Sequence, residues 1–334
     1  MSNKLIKTFD QYVTSQKIAI AVSGGIDSMV LMKVSSLSKK IKPKNIHILT
    51  INHDLRKGTK EETLFVRKEA DKLGLKATVL TWKGKKPKSG IQEKARKKRQ
   101  NLLFNYCKKN NISDLFFAHH LDDQIENFIF RMFRGSGIVG LTSFSNFSKI
   151  DKINLIRPLI NTPKSDLLLF AKKQKIEWIE DPSNSNLDFD RVKVRNVLKN
   201  FYDSGFDKKL FLKSISKLKS INEDIELLTG DYIANYIEVY ENIYVSIKKE
   251  FFSNSPKEIQ MRVIKNCISF FAPEKLYSPK DIKIINILNW IKCNSKVESK
   301  TLGGTLFKKN NNAIILYKEV NKLSNIKPVN ISKS

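Results

Sequence analysis

A short apolar run, Lys17–Val22, stops at Ser23-Gly24-Gly25-Ile26-Asp27-Ser28, and helical spacing takes over from Asp27 to Ser38. A strand this short with no polar alternation is buried on both faces, as strands of parallel sheets are. In open sheets of that kind, ligands bind beyond the carboxyl ends of the strands. The helix after the loop presents free N–H groups and the positive end of its dipole. Gly24 and Gly25 let the backbone approach an anion closely, and Ser23 and Ser28 bring hydroxyl donors. No Gly-Lys-Ser/Thr follows, so this is not a loop whose lysine serves β/γ-phosphate chemistry. A cut between the α and β phosphates, with pyrophosphate held in the loop, is the chemistry it allows. Asp27 suits a phosphate only with Mg²⁺ between them, or as a brace accepting N–H bonds. The bland alternative is a plain helix cap by Ser or Asp.

The rest of the first half repeats the alternation. Strands read at Ile46–Ile51, Ala77–Trp82, Leu115–Ala118 and Ile153–Ile156, and helices at Thr59–Leu73, Ile91–Asn110 and Leu121–Phe133. Thr59 reads as an N-cap, with Gly74 just past the end of its helix. The rhythm predicts an α/β, Rossmann-like parallel sheet with helices on both faces. After Asn200 the texture changes. Residues 207–241 are amphipathic, with Leu210, Ile215, Leu218, Ile221 and Ile225 near helical spacing. A helix at Lys257–Phe271, a Gly303-Gly304 turn and a strand at Ala313–Tyr317 suggest a small α+β module. The expected division is residues 1–205 for the first domain, 206–242 for a helical linker, 243–322 for the α+β domain and 323–334 for a disordered tail.

Composition narrows the setting. No apolar run approaches the roughly 18–20 residues of a membrane span, and the N-terminus does not read as a signal peptide. Cys107, Cys267 and Cys293 are far apart and form no CxxC pair, so a reduced, cytoplasmic protein without disulfides is expected. The net charge is +28, with 61 Lys+Arg against 33 Asp+Glu. That surplus attracts polyanions, although codon bias toward A and T would itself enrich Lys.

Further candidates cluster after the fourth strand. His119-His120-Leu121-Asp122-Asp123-Gln124-Ile125-Glu126-Asn127 opens a helix at a strand end facing the same crevice as the loop. Asp123 and Glu126 are spaced i, i+3 and make a site for an ammonium group or for Mg²⁺. Asp122 and Asp123 would equally complement the helix dipole. One histidine of the His119–His120 pair would polarise developing charge or take a proton. His53 ends the second strand, where Rossmann-type folds contact the nucleotide; an ordinary polar strand end is the other reading. Arg131 and Arg134 suit a phosphate or base edge, or simply a helix C-terminus. Arg96 and Arg99 lie on a basic helix that is either an RNA face or solvated. Arg191 and Arg195, after Glu180-Asp181-Pro182-Ser183-Asn184, would shape an RNA entry.

Ser23–Ser28 matches the SGGxDS signature of the PP-loop ATP pyrophosphatases, of the adenine nucleotide alpha hydrolase type. The series Asn52–Arg56, His119–Asn127, Arg131–Gly137, Gly140-Leu141, Arg157-Pro158-Leu159, Trp178–Asn184 and Arg195-Asn196 resembles the tRNA(Ile)-lysidine synthetases over most of residues 17–197. Leu302-Gly303-Gly304 is similar to their small C-terminal domain, which implies that the α+β module binds tRNA. The further domain of longer members is expected to be absent. The resemblance implies ATP and Mg²⁺ as cofactors, with ATP at Ser23, Gly24, Gly25, Ile26, Asp27, Ser28 and His53, and the metal at Asp27. It implies Asp27, His119, Asp123 and Glu126 as catalytic, and Arg96, Asp123, Glu126, Arg131, Arg134, Arg191 and Arg195 as contacts for lysine or tRNA. The partners implied are an isoleucine tRNA with a CAU anticodon and free L-lysine, with no membrane; a homodimer is left open. The reaction implied is adenylylation of the wobble cytidine at C2, then displacement of AMP by the lysine side-chain amine. The alternatives are another PP-loop enzyme such as a tRNA thiolase, which commonly needs paired cysteines, or a non-catalytic RNA-binding protein.

Overall fold

The computed structural model describes residues 2–52, 58–82, 91–180, 190–241, 243–272, 279–293 and 298–319. The chain forms two compact units, residues 1–219 and 220–334. Along the first unit run α1 (Ser2–Gln11), β1 (Ile18–Ala21), α2 (Ile26–Ser36), β2 (Ile46–Asn52), α3 (Thr59–Lys72), β3 (Lys76–Thr81) and α4 (Ile91–Lys109). Then come β4 (Asp114–Phe116), α5 (Leu121–Phe133), α6 (Ile138–Thr142), β5 (Phe147–Ile150), β6 (Ile153–Ile156), α7 (Lys164–Lys173), α8 (Asp190–Asp203) and α9 (Lys208–Tyr236), whose second half belongs to the other unit.

The first sheet has six strands in the order β3-β2-β1-β4-β6-β5. All neighbours are parallel except β5, which pairs antiparallel with β6 across a tight turn where Asp151 has φ 54°. The expected parallel sheet thus gains an antiparallel edge. Alternate strand residues feed two cores, which is why β1 shows no polar alternation. Ile18, Ile20, Ile46, Ile48 and Phe116 pack with α1, α2, α3 and α7. Ala19, Leu49 and Leu115 point the other way, onto Leu103, Phe104 and Cys107 of α4. The sequence reading assigns no element to residues 2–11, yet α1 buries Leu5 and Phe9, the latter 5.2 Å from the Phe116 ring. One boundary is corrected. Gly58, not Thr59, takes the cap of α3, and Thr59 is its first helical residue, with its side chain buried.

The second unit holds the end of α9, then β7 (Ile237–Tyr240), β8 (Tyr244–Lys248), α10 (Lys249–Asn254), α11 (Lys257–Phe271), α12 (Asp281–Lys292), β9 (Ser299–Leu302), β10 (Thr305–Lys309) and β11 (Ala313–Lys318). Its antiparallel sheet has the order β7-β8-β11-β10-β9 and buries Val245, Ile247, Phe307, Ile314 and Leu316 against α11 and α12. Gly303 and Gly304 turn between β9 and β10 at φ 65° and 84°. A Cβ on Gly303 would also lie 2.7 Å from Ile268 Cγ2, so both space and backbone demand glycine there. The guanidinium of Arg262 on α11 is buried and bonded to Glu258, Glu226 and Asn222, which ties α11 to the second half of α9.

Candidate active site

β1 and β4 are neighbours in the sheet, but the chain leaves them toward opposite sides, from β1 to β2 and from β4 to the β5–β6 hairpin. This is the switch point of an open α/β sheet, where the loops part and leave a crevice. The loop after β1 and the start of α5 after β4 face each other there.

The first loop braces itself. Ser28 is buried, donates its hydroxyl to the Gly25 carbonyl at 2.9 Å and accepts the Ser23 N–H at 3.1 Å. Ser28 thus braces the loop with its hydroxyl. Ser23 is exposed, with its Oγ 3.3 Å from that of Ser28. Gly24 has φ 90°, a left-handed conformation that side chains disfavour. Its carbonyl accepts the Ile179 N–H at 3.0 Å, and Ile179 and Val66 line the space beside its Cα. The Ile26 side chain enters the core, so only its backbone faces a ligand. The first helical bond, Met29 N–H to Gly25, leaves the N–H groups of Ile26, Asp27 and Ser28 without intrahelical acceptors.

Across from the loop sits His120, almost fully buried. Its Nε2 lies 3.6 Å from Asp27 Oδ2 and 3.5 Å from Asp123 Oδ2, and its Nδ1 lies 3.7 Å from Asp122 Oδ2. Burial alone would lower the imidazole, but Asp27, Asp123 and Asp122 outweigh it and hold the pKa above the ordinary 6.5. Burial would likewise raise Asp27; the hydrogen bond and charge of His120, with the charge of Lys164, leave it below the usual carboxylate value. Asp27 Oδ1 is buried and has no hydrogen-bond partner, so the crevice contains a carboxylate oxygen ready for a cation. His119, the histidine favoured from sequence, faces elsewhere. Its ring packs beside Phe117 and Phe144, at 5.8 and 5.1 Å. His120, the residue just before α5, is the one turned toward the carboxylates.

The other carboxylates of α5 are engaged. Asp122 accepts the Lys164 N–H at 2.9 Å, capping α7, and pairs with Lys208 at the start of α9. Although burial acts to raise it, these partners keep it low. Asp123 accepts the backbone N–H of His120 at 3.0 Å. Glu126 is buried and bidentate with Arg195 of α8, at 2.8 and 3.1 Å, and this bond raises the arginine. Of the i, i+3 pair, Asp123 lies with Asp27 beside His120, while Glu126 is paired with Arg195. Near it the Tyr202 phenol is pushed up to about 12 by burial and by Asp122 and Glu126, so it stays neutral.

A family model described as a PP-loop domain matches residues 1–201. A tRNA(Ile)-lysidine synthase of Wolbachia sp. subsp. Brugia malayi is 33% identical over 94% of this chain and 73% of its own length. The enzymes of the same name from Wolbachia pipientis and Orientia tsutsugamushi are 34% and 32% identical over 93% of this chain, which covers 73% and 71% of them. The chain belongs to the tRNA(Ile)-lysidine synthase family. ATP is the nucleotide of this PP-loop family. Among solved structures, the U34-tRNA thiolase NcsA from Methanococcus maripaludis superposes with a TM-score of 0.57 at 20% identity, covering 66% of this chain and 78% of that one, and so shares the fold.

The remaining expected contacts of a lysidine synthase distribute unevenly. Arg134 is exposed, with its guanidinium 4.1 Å over the Phe130 ring, and Arg131 Nε reaches Asn127 Oδ1 at 3.4 Å. Arg96 is exposed on α4, and its charge acts on Arg157, whose guanidinium burial and Arg96 bring down to about 10. His53 lies outside the described residues, and of Arg191 only the backbone, inside α8, is described. Lys164, whose charge reaches Asp27, was missed from sequence, since no local pattern marks it. Ile179, within the Trp178–Asn184 segment, backs the loop from a distant part of the chain.

Proposed function

We propose that this member of the lysidine synthase family adenylylates C2 of the wobble cytidine in the CAU-anticodon isoleucine tRNA and installs lysine there. The observation that carries the proposal is identity of 33–34% along nearly the whole chain, joined to a phosphate loop that faces a carboxylate–histidine group across the sheet's switch point. The N–H groups at the start of α2 bind the departing pyrophosphate. The cytidine O2 attacks the α-phosphorus and the bond to pyrophosphate breaks. The amine of lysine then attacks C2 and expels AMP with that oxygen. Asp27 and Asp123 supply negative charge for an ammonium group as lysine enters. His120, whose pKa these carboxylates hold above its ordinary value, balances part of their charge. Asp27, with its unpartnered Oδ1, suits Mg²⁺ shared with phosphate oxygens; the metal would neutralise charge on the leaving pyrophosphate. The second unit would hold the tRNA body. Sulfur transfer is disfavoured, because Cys107, Cys267 and Cys293 are far apart in the sequence and Cys107 and Cys267 are buried.

The test is incubation with ATP, Mg²⁺, labelled lysine and tRNA. Label should enter the isoleucine tRNA with the CAU anticodon, and absence of label there refutes the assignment. Asp27→Ala should lower pyrophosphate release by about 10²-fold or more while tRNA binding stays nearly intact.

A further inference from the structure

Arg157 takes no part among the contacts of Asp27, His120 and Asp123, yet it follows β6 directly and so stands at the same, carboxyl end of the sheet. Its guanidinium is fixed on one side only. Nη1 donates to the Ser145 carbonyl at 3.0 Å and to Ser148 Oγ at 3.2 Å, and the head lies 5.0 Å from the centre of the Phe144 ring. Its Nε is buried and has no hydrogen-bond partner. The surroundings of this cation are themselves positive. Desolvation lowers both Arg157 and Arg99, and the charge of Arg96 on α4 lowers both further. Among the described residues, none of the three arginines is paired with a carboxylate. Arg195 and Arg262 differ in this respect, since Glu126 holds the first and Glu258 and Glu226 hold the second.

Bringing like charges together and desolvating one of them costs free energy that an arriving anion restores. A buried N–H without an acceptor on a guanidinium already held in place asks for an acceptor of opposite charge, and phosphate fits its planar fork. Two sources of phosphate meet in the crevice. The phosphates of ATP already have donors in the free N–H groups at the start of α2, just after β1. Arg157 stands two strands along, beyond β4 in the order β1-β4-β6, which is about 10 Å. Beside it the rings of Phe144, His119 and Phe117 follow one another at 5.1 and 5.8 Å, each partly exposed. Arginines set on both β6 and α4 suit a strand whose phosphates repeat along its length, and backbone contacts of this kind fix the register in which a nucleic acid is presented.

We propose that Arg157, with Arg96, binds a backbone phosphate of the RNA loop beside the cytidine to be modified, an inference that rests on the RNA-modifying reading of the crevice. The test measures binding of an anticodon stem-loop RNA to the full chain over a range of salt. Arg157→Gln and Arg96→Gln should each weaken binding about tenfold. Each should also reduce the slope of log affinity against log salt by about 0.7, the share of one phosphate contact on a single strand, whereas Arg157→Lys should keep the slope. Arg96 is exposed, so its variant leaves the packing intact, and retained ATP binding verifies the fold of both. A stem-loop with one loop phosphate replaced by a neutral methylphosphonate, each position in turn, should bind the wild type more weakly at one position, and Arg157→Gln should not sense that replacement. If both glutamine variants keep the affinity and salt slope of the wild type, Arg157 only braces Ser145 and Ser148 and the proposal is overturned, while lysine incorporation by the wild type leaves the reaction standing. If the variants lose ATP binding but not RNA binding, the phosphate is that of ATP and the proposal is likewise overturned. If RNA binding depends on both arginines yet no tRNA receives lysine, the contact stands and the reaction falls.

Discussion

At His120 a buried cation stands among carboxylates, and that has a measurable consequence. Its pKa is raised above 6.5, so the folded chain keeps this proton when the unfolded chain has begun to lose it. The stabilisation is complete below 6.5 and declines as pH rises through the folded pKa. Asp27 and Asp122 are lowered from 3.8, so their stabilisation is present above that value and is lost as pH falls through their folded values. The group therefore contributes fully between 3.8 and 6.5. Thermal melts from pH 6 to 9 should show a decline that His120→Asn flattens; equal slopes in both proteins would mean the imidazole is neutral. The sequence marked the His119–His120 pair as candidates. That His120 rather than His119 lies among the carboxylates is set by the path of the chain between β4 and α5, which no local pattern encodes.

On the scale of elements, α5 binds the site to its surroundings. Its first turn caps α7 through Asp122, and one turn on it grips α8 through Glu126. Arg195→Ala should destabilise the chain by about 1–3 kcal/mol, below the cost of a fully buried pair because the arginine is 44% exposed. Glu126→Gln in the Arg195→Ala background should cost clearly less than Glu126→Gln alone. Denaturant melts of the four proteins measure this, and additive losses would show that the two side chains act separately. α2, α3, α5, α9 and α11 were legible because apolar spacing at the helical period survives in each. β5 was not, since Phe147–Ile150 is a half-exposed edge of four residues that only its pairing with β6 makes a strand. α8 was seen only as Arg191 and Arg195, because its apolar residues are divided between a buried face, Val194 and Leu198, and an exposed one, Val197 and Phe201.

Across the whole molecule the charge of +28 should dominate affinity for nucleic acid. Binding of tRNA should weaken more than about tenfold between 50 and 200 mM salt, the slope of log affinity against log salt counting the phosphates neutralised. Filter binding or fluorescence anisotropy would read it. A slope near zero would make the lysine surplus a matter of composition rather than recognition. No described helix is long and apolar enough to cross a membrane.

By itself the sequence determined the strand, loop and helix over Lys17–Ser38, and with them the nucleotide chemistry. Glycines, a helix start and an apolar run are contiguous, and their backbone requirements are local. Tertiary structure alone decided which groups are available. Glu126 is closed by a residue 69 positions away, and Asp122 by partners 42 and 86 positions away. A carboxylate's freedom is set by which cation the fold brings to it, and no spacing within α5 encodes that.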